Sequence, residues 1–211
     1  MRPEIREVLH YLGTAENPPE ELRKTVGDMG VKLESRLRPR WVWRVVELDE
    51  NCPVVLSSKL ARTMLADCTR AVLLCCTLGP EFDALMRSEQ ARDMSRAVIL
   101  DAWGSAWVEQ GCDEAEREIA ARFPEQHLTD RFSPGYGDLP LSLQSDFCAF
   151  LDTPRRLGVH VTESCLLNPQ KTVTAVIGLS DRPQMARIRG CGYCSMRETC
   201  SLRKGGKRCA L

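Results

Sequence analysis

Apolar and polar positions along this chain switch between a helical and an alternating period, and the switches mark its elements. Asn17-Pro18-Pro19-Glu20 reads as a helix start, with Asn17 as N-cap, Pro18 at the first helical position and Glu20 completing a capping box. The helix so begun runs through residues 21 to about 36 and stops before Pro39. Residues 41–48 (WVWRVVEL) are rich in β-branched and aromatic side chains and predict a strand closed by Asp49-Glu50-Asn51. A helix near residues 58–68 follows. Residues 71–79 (AVLLCCTLG) then form a continuous apolar run, short enough for a buried strand and ended by Gly79-Pro80.

Residues 81–87 and, after a break, 91 to about 121 have helical periodicity. In the longer segment Met94, Ala97, Val98, Ala102, Ala106, Cys112, Ala115 and Ile119 supply an apolar stripe. Ala102, Gly104, Ser105 and Ala106 are small enough to admit a packed element or a ligand. Asp101 and Glu109 lie near that face, as solvated charges or as pocket carboxylates. From Phe132 the texture changes to Ser-Pro-Gly-Tyr-Gly-Asp-Leu-Pro, a turn-forming segment. A short helix over 143–151 and strands over 159–162 and 172–179 complete the pattern, with Pro169 in the loop between the two strands. Helices and strands mix without regular βα alternation, which predicts an α+β fold: a twisted antiparallel or mixed sheet flanked by helices. The predicted division is an extension over residues 1–53, a core over 54–183 and a short tail over 184–211.

Composition sharpens this picture in three ways. With 211 residues, 43% of them hydrophobic, the chain can build a core without disulfide staples. No window reaches the roughly 18 consecutive apolar residues of a membrane span. Glu and Arg interrupt the apolar positions of the first 14 residues, so neither anchor nor signal peptide is expected and a cytoplasmic, thiol-reducing setting is. The formal net charge of zero conceals an asymmetry: eight basic and one acidic side chain from Arg182 onward leave 21 basic and 28 acidic before it.

Four of the eleven cysteines crowd the basic tail as Cys191-x2-Cys194-x5-Cys200-x8-Cys209. A two-residue gap turns two thiolates onto one metal, and four sulfurs suffice for zinc or for an iron-sulfur cluster. The gaps of five and eight depart from paired zinc knuckles. The CxxCx5C run instead resembles part of the four-iron four-sulfur loop of the endonuclease III family of DNA glycosylases, over about ten residues. A four-iron four-sulfur cluster is therefore the leading expectation, with zinc or a metal-free tail as alternatives and Cys209 the least secure ligand. The other seven cysteines fall in apolar or helical stretches and read as core. Basic residues around the quartet offer contacts to phosphates, to an anionic cluster or to an acidic protein. Tyr193 is the only aromatic residue there, so nucleic-acid binding is the weaker reading. His10, His127 and His160 are isolated in sequence, and none is expected to transfer protons.

A second constellation joins Arg131-Phe132-Ser133-Pro134-Gly135-Tyr136-Gly137-Asp138 to Val161-Thr162-Glu163-Ser164. A fixed cation, a Pro-Gly turn, a phenol and carboxylates suit a small zwitterionic ligand, because Arg pairs a carboxylate and Glu faces an ammonium or sulfonium. The bland alternative is a surface ion pair and a packed Tyr.

These segments resemble the activation (reactivation) domain of cobalamin-dependent methionine synthase. That family has an Arg-x-x-x-Gly-Tyr segment, then Leu/Val-Thr-Glu-Ser, a Pro and a Val-Ser-Gly-type strand; Arg131 to Tyr136, Val161 to Ser164, Pro169 and Val173-Thr174-Ala175 match in order and spacing. The resemblance is good over residues 131–181 and weaker over 54–119. It implies S-adenosylmethionine binding by Arg131, Ser133, Gly135 and Tyr136, with Glu109 and Glu163 as ligand-facing carboxylates and no catalytic acid, base or nucleophile. Two departures stand out. Gly137-Asp138-Leu139-Pro140 replaces the family's Pro-Ala-Cys-Pro, and Ile177 stands where the family has a strand Tyr.

The chain has no Asp-x-His-x-x-Gly cobalamin motif and no room for homocysteine or folate barrels. The resemblance thus implies a partner for a corrinoid protein, or for a methionine synthase lacking its activation domain. A flavodoxin- or ferredoxin-type reductant would supply electrons and the cysteine tail would serve as relay. The alternatives are a non-enzymatic metal-binding module that has lost the ligand site, and nucleic-acid binding through the tail.

Overall fold

In the computed structural model, residues 2–14, 18–49, 52, 54 and 57–184 are described. Helix α1 (Ile5–Tyr11) buries Val8 and Leu9. Helix α2 (Glu20–Glu34) begins later than the capping pattern predicts, with Pro19 at the N-cap and no side-chain cap. A residue that precedes proline is disfavoured in the helical region, so Pro18 cannot open a helix when Pro19 follows. Asn17 lies outside the described residues. Strand β1 (Arg40–Glu47) matches its expected span to within a residue. Helix α3 (Lys59–Met64) is shorter than expected: Leu65 leaves helical geometry, and Cys68 already begins strand β2 (Cys68–Thr77).

Gly79, at a φ of +79° that favours glycine, turns β2 into helix α4 (Pro80–Arg92). The break predicted after residue 87 falls at Asp93, whose carboxylate accepts from the Ser95 and Arg96 amides and so caps helix α5 (Met94–Arg122). There follow β3 (His127–Leu128), α6 (Leu143–Leu151), α7 (Thr153–Leu157), β4 (His160–Val161), β5 (Leu167–Asn168) and β6 (Thr172–Ser180). Among the described residues one sheet has the order β1-β2-β6-β3, and β4 pairs antiparallel with β5 in a separate hairpin. The inner strands β2 and β6 carry the two continuous apolar runs, and each is buried over its last seven residues. β3 pairs antiparallel with β6, His127 facing Ser180. No described helix is long and apolar enough to cross a membrane.

The described residues gather into two compact units. The first draws on the described residues of Met1–Trp43, Leu74–Glu118 and Gln144–Thr174, the second on those of Arg44–Leu73 and Ile119–Leu143 and on residues 175–184. In the first unit the end of β2 meets the start of β6, with the Leu78 N–H donating to the Lys171 carbonyl and the Thr77 and Thr172 hydroxyls 2.7 Å apart. The predicted α5 stripe is buried at Ala97, Ala102, Ala106, Cys112, Ala115 and Ile119. Met94 and Val98 are 63% and 53% exposed, while Trp103 and Trp107 are almost wholly buried. The Trp103 indole N–H donates to the Val26 carbonyl at 3.0 Å. Its ring lies against Gly30, where an added Cβ would come within 2.3 Å of Cζ2.

Gly30 therefore makes an unusual helix glycine to replace. Helix propensity favours Ala by about 1 kcal/mol, but forcing a methyl into a packed core costs about 1–3 kcal/mol. The clash is with a ring pinned by its own hydrogen bond, so Gly30→Ala is expected to lower the stability measured by urea unfolding. A stabilised variant would show that Trp103 is free to move.

Candidate functional site

Four of the six residues expected to hold a ligand sit in one loop of the second unit, which starts as a graft on β6. The Thr129 N–H donates to the Gly178 carbonyl at 3.1 Å, and the Gly178 N–H donates back to Thr129 Oγ1 at 2.8 Å. Phe132 and Val176 then form an antiparallel bridge with reciprocal bonds of 3.1 and 2.8 Å. Gly178 permits the close approach, since a Cβ there would lie 2.7–2.8 Å from Cys68 Sγ, Leu65 Cδ2 and Thr129 Cγ2. Phe132 and Leu139 are buried on either side of the turn.

Between these anchors the chain makes two consecutive turns. The Tyr136 N–H donates to the Ser133 carbonyl, the Leu139 N–H to the Tyr136 carbonyl and the Gly135 N–H to the Leu139 carbonyl. Gly135 and Gly137 adopt φ values of +88° and +58°, a backbone region that other residues enter at a cost. The Gly135 N–H is thus used inside the loop. Tyr136 is left 42% exposed while Arg131 and Ser133 are half-buried.

Asp138, which stands in the departure from the family pattern, has a structural task. Its Oδ1 accepts from Ser58 Oγ at 2.6 Å and from the Leu60 N–H at 3.0 Å, and its Oδ2 accepts from the Lys59 N–H at 2.7 Å. Ser58 in turn caps α3 by accepting from the Ala61 N–H. One carboxylate thereby clamps the loop to the first turn of a helix about eighty residues earlier in the chain. The Ser58 hydroxyl first, and then the Leu60 and Lys59 amides, stabilise the charged form and lower the Asp138 pKa to about 2. This clamp was invisible to sequence reasoning, because neither residue signals a partner so distant.

Glu109 and Glu163 belong to the first unit, on different elements. Glu109 is half-buried on α5, beside Gln110, whose amide oxygen is buried with no hydrogen-bond partner. Glu163 is exposed at the tip of the β4–β5 hairpin. There Thr162 closes the turn through its N–H and hydroxyl to Leu166, and Cys165 takes a φ of +62°. The Thr and Ser hydroxyls of the Thr162-Glu163-Ser164 segment are 3.0 Å apart, so the motif builds a turn from two side chains and presents the third. Ile177 is fully buried.

The small-residue face of α5 is divided in use. Ala102 and Ser105 line a cavity of about 370 Å³ together with Asp101, Tyr11, Met94 and Val98. Ala106 is buried, and Gly104 lies against Phe82. The Asp101 carboxylate is paired at 2.9 Å with Lys171 Nζ, which also donates to Ser105 Oγ.

Cys191, Cys194, Cys200 and Cys209 lie outside the described residues. Among the described residues no cluster of His, Cys, Asp and Glu could hold a metal. All seven described cysteines are free thiols, five of them buried. Burial, reinforced by Cys148 and Cys112, pushes the Cys75 thiol up, and burial also raises Cys148. These stay protonated and unreactive, as core residues should.

No protein-family model and no curated protein matches the sequence. The fold, however, is similar to a crystal structure of the MetH reactivation domain bound to AdoHcy. The TM-score is 0.63 at 16% identity, and the match covers 96% of this chain and 83% of that one. The chain therefore has a reactivation-domain-like fold of mixed helices and antiparallel strands.

The Asp138 clamp has a defined pH dependence. A carboxylate whose folded pKa lies below its unfolded value of 3.8 stabilises the fold fully above that value, and loses the contribution as pH falls through about 2. Carboxyl NMR should give a midpoint near 2 for Asp138, and Ser58→Ala should move it upward toward 3.8. An Asp138 that titrates like a free carboxylate in the native protein would contradict the clamp.

Proposed function

We propose that this chain binds S-adenosylmethionine at the Arg131–Tyr136 loop and supports reductive remethylation of a corrinoid carried by a partner protein. The observation that carries the reading is the reactivation-domain-like fold together with a doubly anchored loop at the residues that resemble that family's ligand segment. Arg131 would pair the carboxylate of the methionine moiety, since a guanidinium offers two parallel donors to it. Ser133 would bond the ligand through its backbone. Gly135 would contribute the turn conformation, and Tyr136 would cover the ligand with its exposed ring. Glu109 and Glu163 remain proposed ligand-facing carboxylates, suited to the cationic end of the ligand.

No acid, base or nucleophile of this chain is assigned. Its part would be to bind the methyl donor, fix its orientation and dock the partner. The partner, a corrinoid protein or a methionine synthase without its own activation domain, would supply the reduced cobalt that accepts the methyl group, leaving S-adenosylhomocysteine. The electrons would come from a flavodoxin- or ferredoxin-type reductant. From their spacing alone, Cys191, Cys194, Cys200 and Cys209 are proposed to hold a four-iron four-sulfur cluster that relays them. Anaerobic reconstitution should then give iron and sulfide in the protein; zinc without iron would remove the relay.

Calorimetric titration of S-adenosylmethionine should give saturable binding, lost in Arg131→Ala and about tenfold weaker in Tyr136→Ala. The latter is about 1.4 kcal/mol, in the range for losing one well-placed aromatic contact. Tyr136→Ala should leave the Tm unchanged, because the ring is exposed. No binding to folded, metal-replete protein would favour the second reading, a metal-binding interaction module that keeps the fold without the ligand. The buried aliphatic Ile177, in place of a strand Tyr, is compatible with that module.

A further inference from the structure

The Arg131–Tyr136 loop and helix α3 both lie in the second unit, and two kinds of contact join them. The first is the Asp138 carboxylate, which accepts from Ser58 Oγ and from the Lys59 and Leu60 amides. The second is steric: a Cβ on Gly137 would lie 3.1 Å from Leu60 Cδ2, so the loop's second glycine lies against that side chain. Leu60 thus meets the loop twice, with its N–H at Asp138 and its methyl at the residue before. Behind this contact α3 is fixed in the core through Ala61 and Met64, both buried.

The segment held in this way is one that would otherwise take several shapes. From the bridge at Phe132 the chain runs through Ser133 to Gly137 before the carboxylate of Asp138 ties it down. Gly135 and Gly137 adopt positive φ in that stretch, and glycine has more backbone freedom to lose than any other residue. The turns inside the segment are closed by bonds between neutral backbone groups. Hydrogen bonds to an ionised acceptor are about twice as strong as neutral ones. The three bonds to Asp138 therefore weigh more than the turn bonds in selecting one shape, and that residue stands two positions from Tyr136.

We propose that Asp138 is a positioning residue for the ligand loop: tied to the first turn of α3 through Ser58, Lys59 and Leu60, it keeps the Arg131–Tyr136 segment in its binding shape without itself touching the ligand. The inference rests on the reading of that loop as the S-adenosylmethionine site. A site whose competent shape is only partly populated loses apparent affinity in proportion, so releasing the tie weakens binding although every ligand-facing side chain remains.

Two measurements on the full chain test this and keep it separable from the reading beneath it. In ligand-free protein, amide relaxation by NMR should find Gly135, Tyr136 and Gly137 rigid in the wild type and mobile in Asp138→Ala, with Thr129 and Gly178 rigid in both. Calorimetry should find S-adenosylmethionine bound about fivefold to tenfold more weakly by Asp138→Ala. Asp138→Asn keeps an oxygen for Ser58 and Leu60 but turns an N–H2 group toward the Lys59 amide. It should fall between wild type and alanine in both measurements, and it serves as the test if Asp138→Ala does not fold. A loop that stays rigid in the folded variants, or variants that bind as tightly as a binding wild type, would overturn the proposal and leave the ligand reading standing. A wild type that does not bind S-adenosylmethionine would instead overturn the ligand reading, and the relaxation result alone then upholds or overturns the hold of Asp138 on the loop.

Discussion

Two neighbouring strands that are apolar along both faces leave the chain little choice: β2 and β6 must be interior to the sheet, with their backbone groups paired on either side. Much of the candidate site depends on that constraint. Because β6 is fixed by its neighbours, the backbone groups of Val176 and Gly178 stand at set positions, and Phe132 and Thr129 bond to them. The loop carrying Arg131 and Tyr136 is thus an extension of sheet geometry rather than a free surface segment. A ligand site built this way loses little conformational freedom on binding, because the turns are already closed before anything arrives.

The two sides of the loop are secured by different physics. On the β6 side the anchors are neutral backbone bonds and a buried Phe132. On the α3 side a single charged group, Asp138, takes three donors at once, two of them helix-terminal amides that have no partner within their own helix. Carboxylate oxygens are good acceptors for such amides, which explains why an acid stands in a segment otherwise made of Gly, Leu and Pro. The Gly137-Asp138-Leu139-Pro140 segment, where this chain departs from the Pro-Ala-Cys-Pro of the family it resembles, thus has a task of its own in holding this turn.

What the sequence revealed divides along a physical line. Continuous apolar runs announced β2 and β6, and amphipathic spacing announced α6 over its full length, because burial on one or both faces leaves a local record. The Trp-Val-Trp alternation announced β1 for the same reason. Elements fixed by distant partners left none: β3 is two residues long and exists through its register with β6, and the Ser58–Asp138 clamp joins positions about eighty residues apart. Periodicity read α5 in part: Ala97, Ala102, Ala106, Cys112, Ala115 and Ile119 are buried as the stripe implied, but Met94 and Val98 face outward, and Trp103 and Trp107, outside the stripe, are buried too. Large aromatic rings reach places that Cα periodicity does not encode. The loop of Arg131, Ser133, Gly135 and Tyr136 was legible as a turn, but its anchoring was not.

The central claim concerns where S-adenosylmethionine meets this chain, and amide chemical-shift mapping on isotope-labelled protein addresses it most directly. The account predicts that added S-adenosylmethionine shifts the amides of Arg131, Ser133, Gly135, Tyr136 and Gly137 together, along one saturable curve. Shifts confined to residues outside this loop, or none at saturating ligand in folded protein, would contradict it.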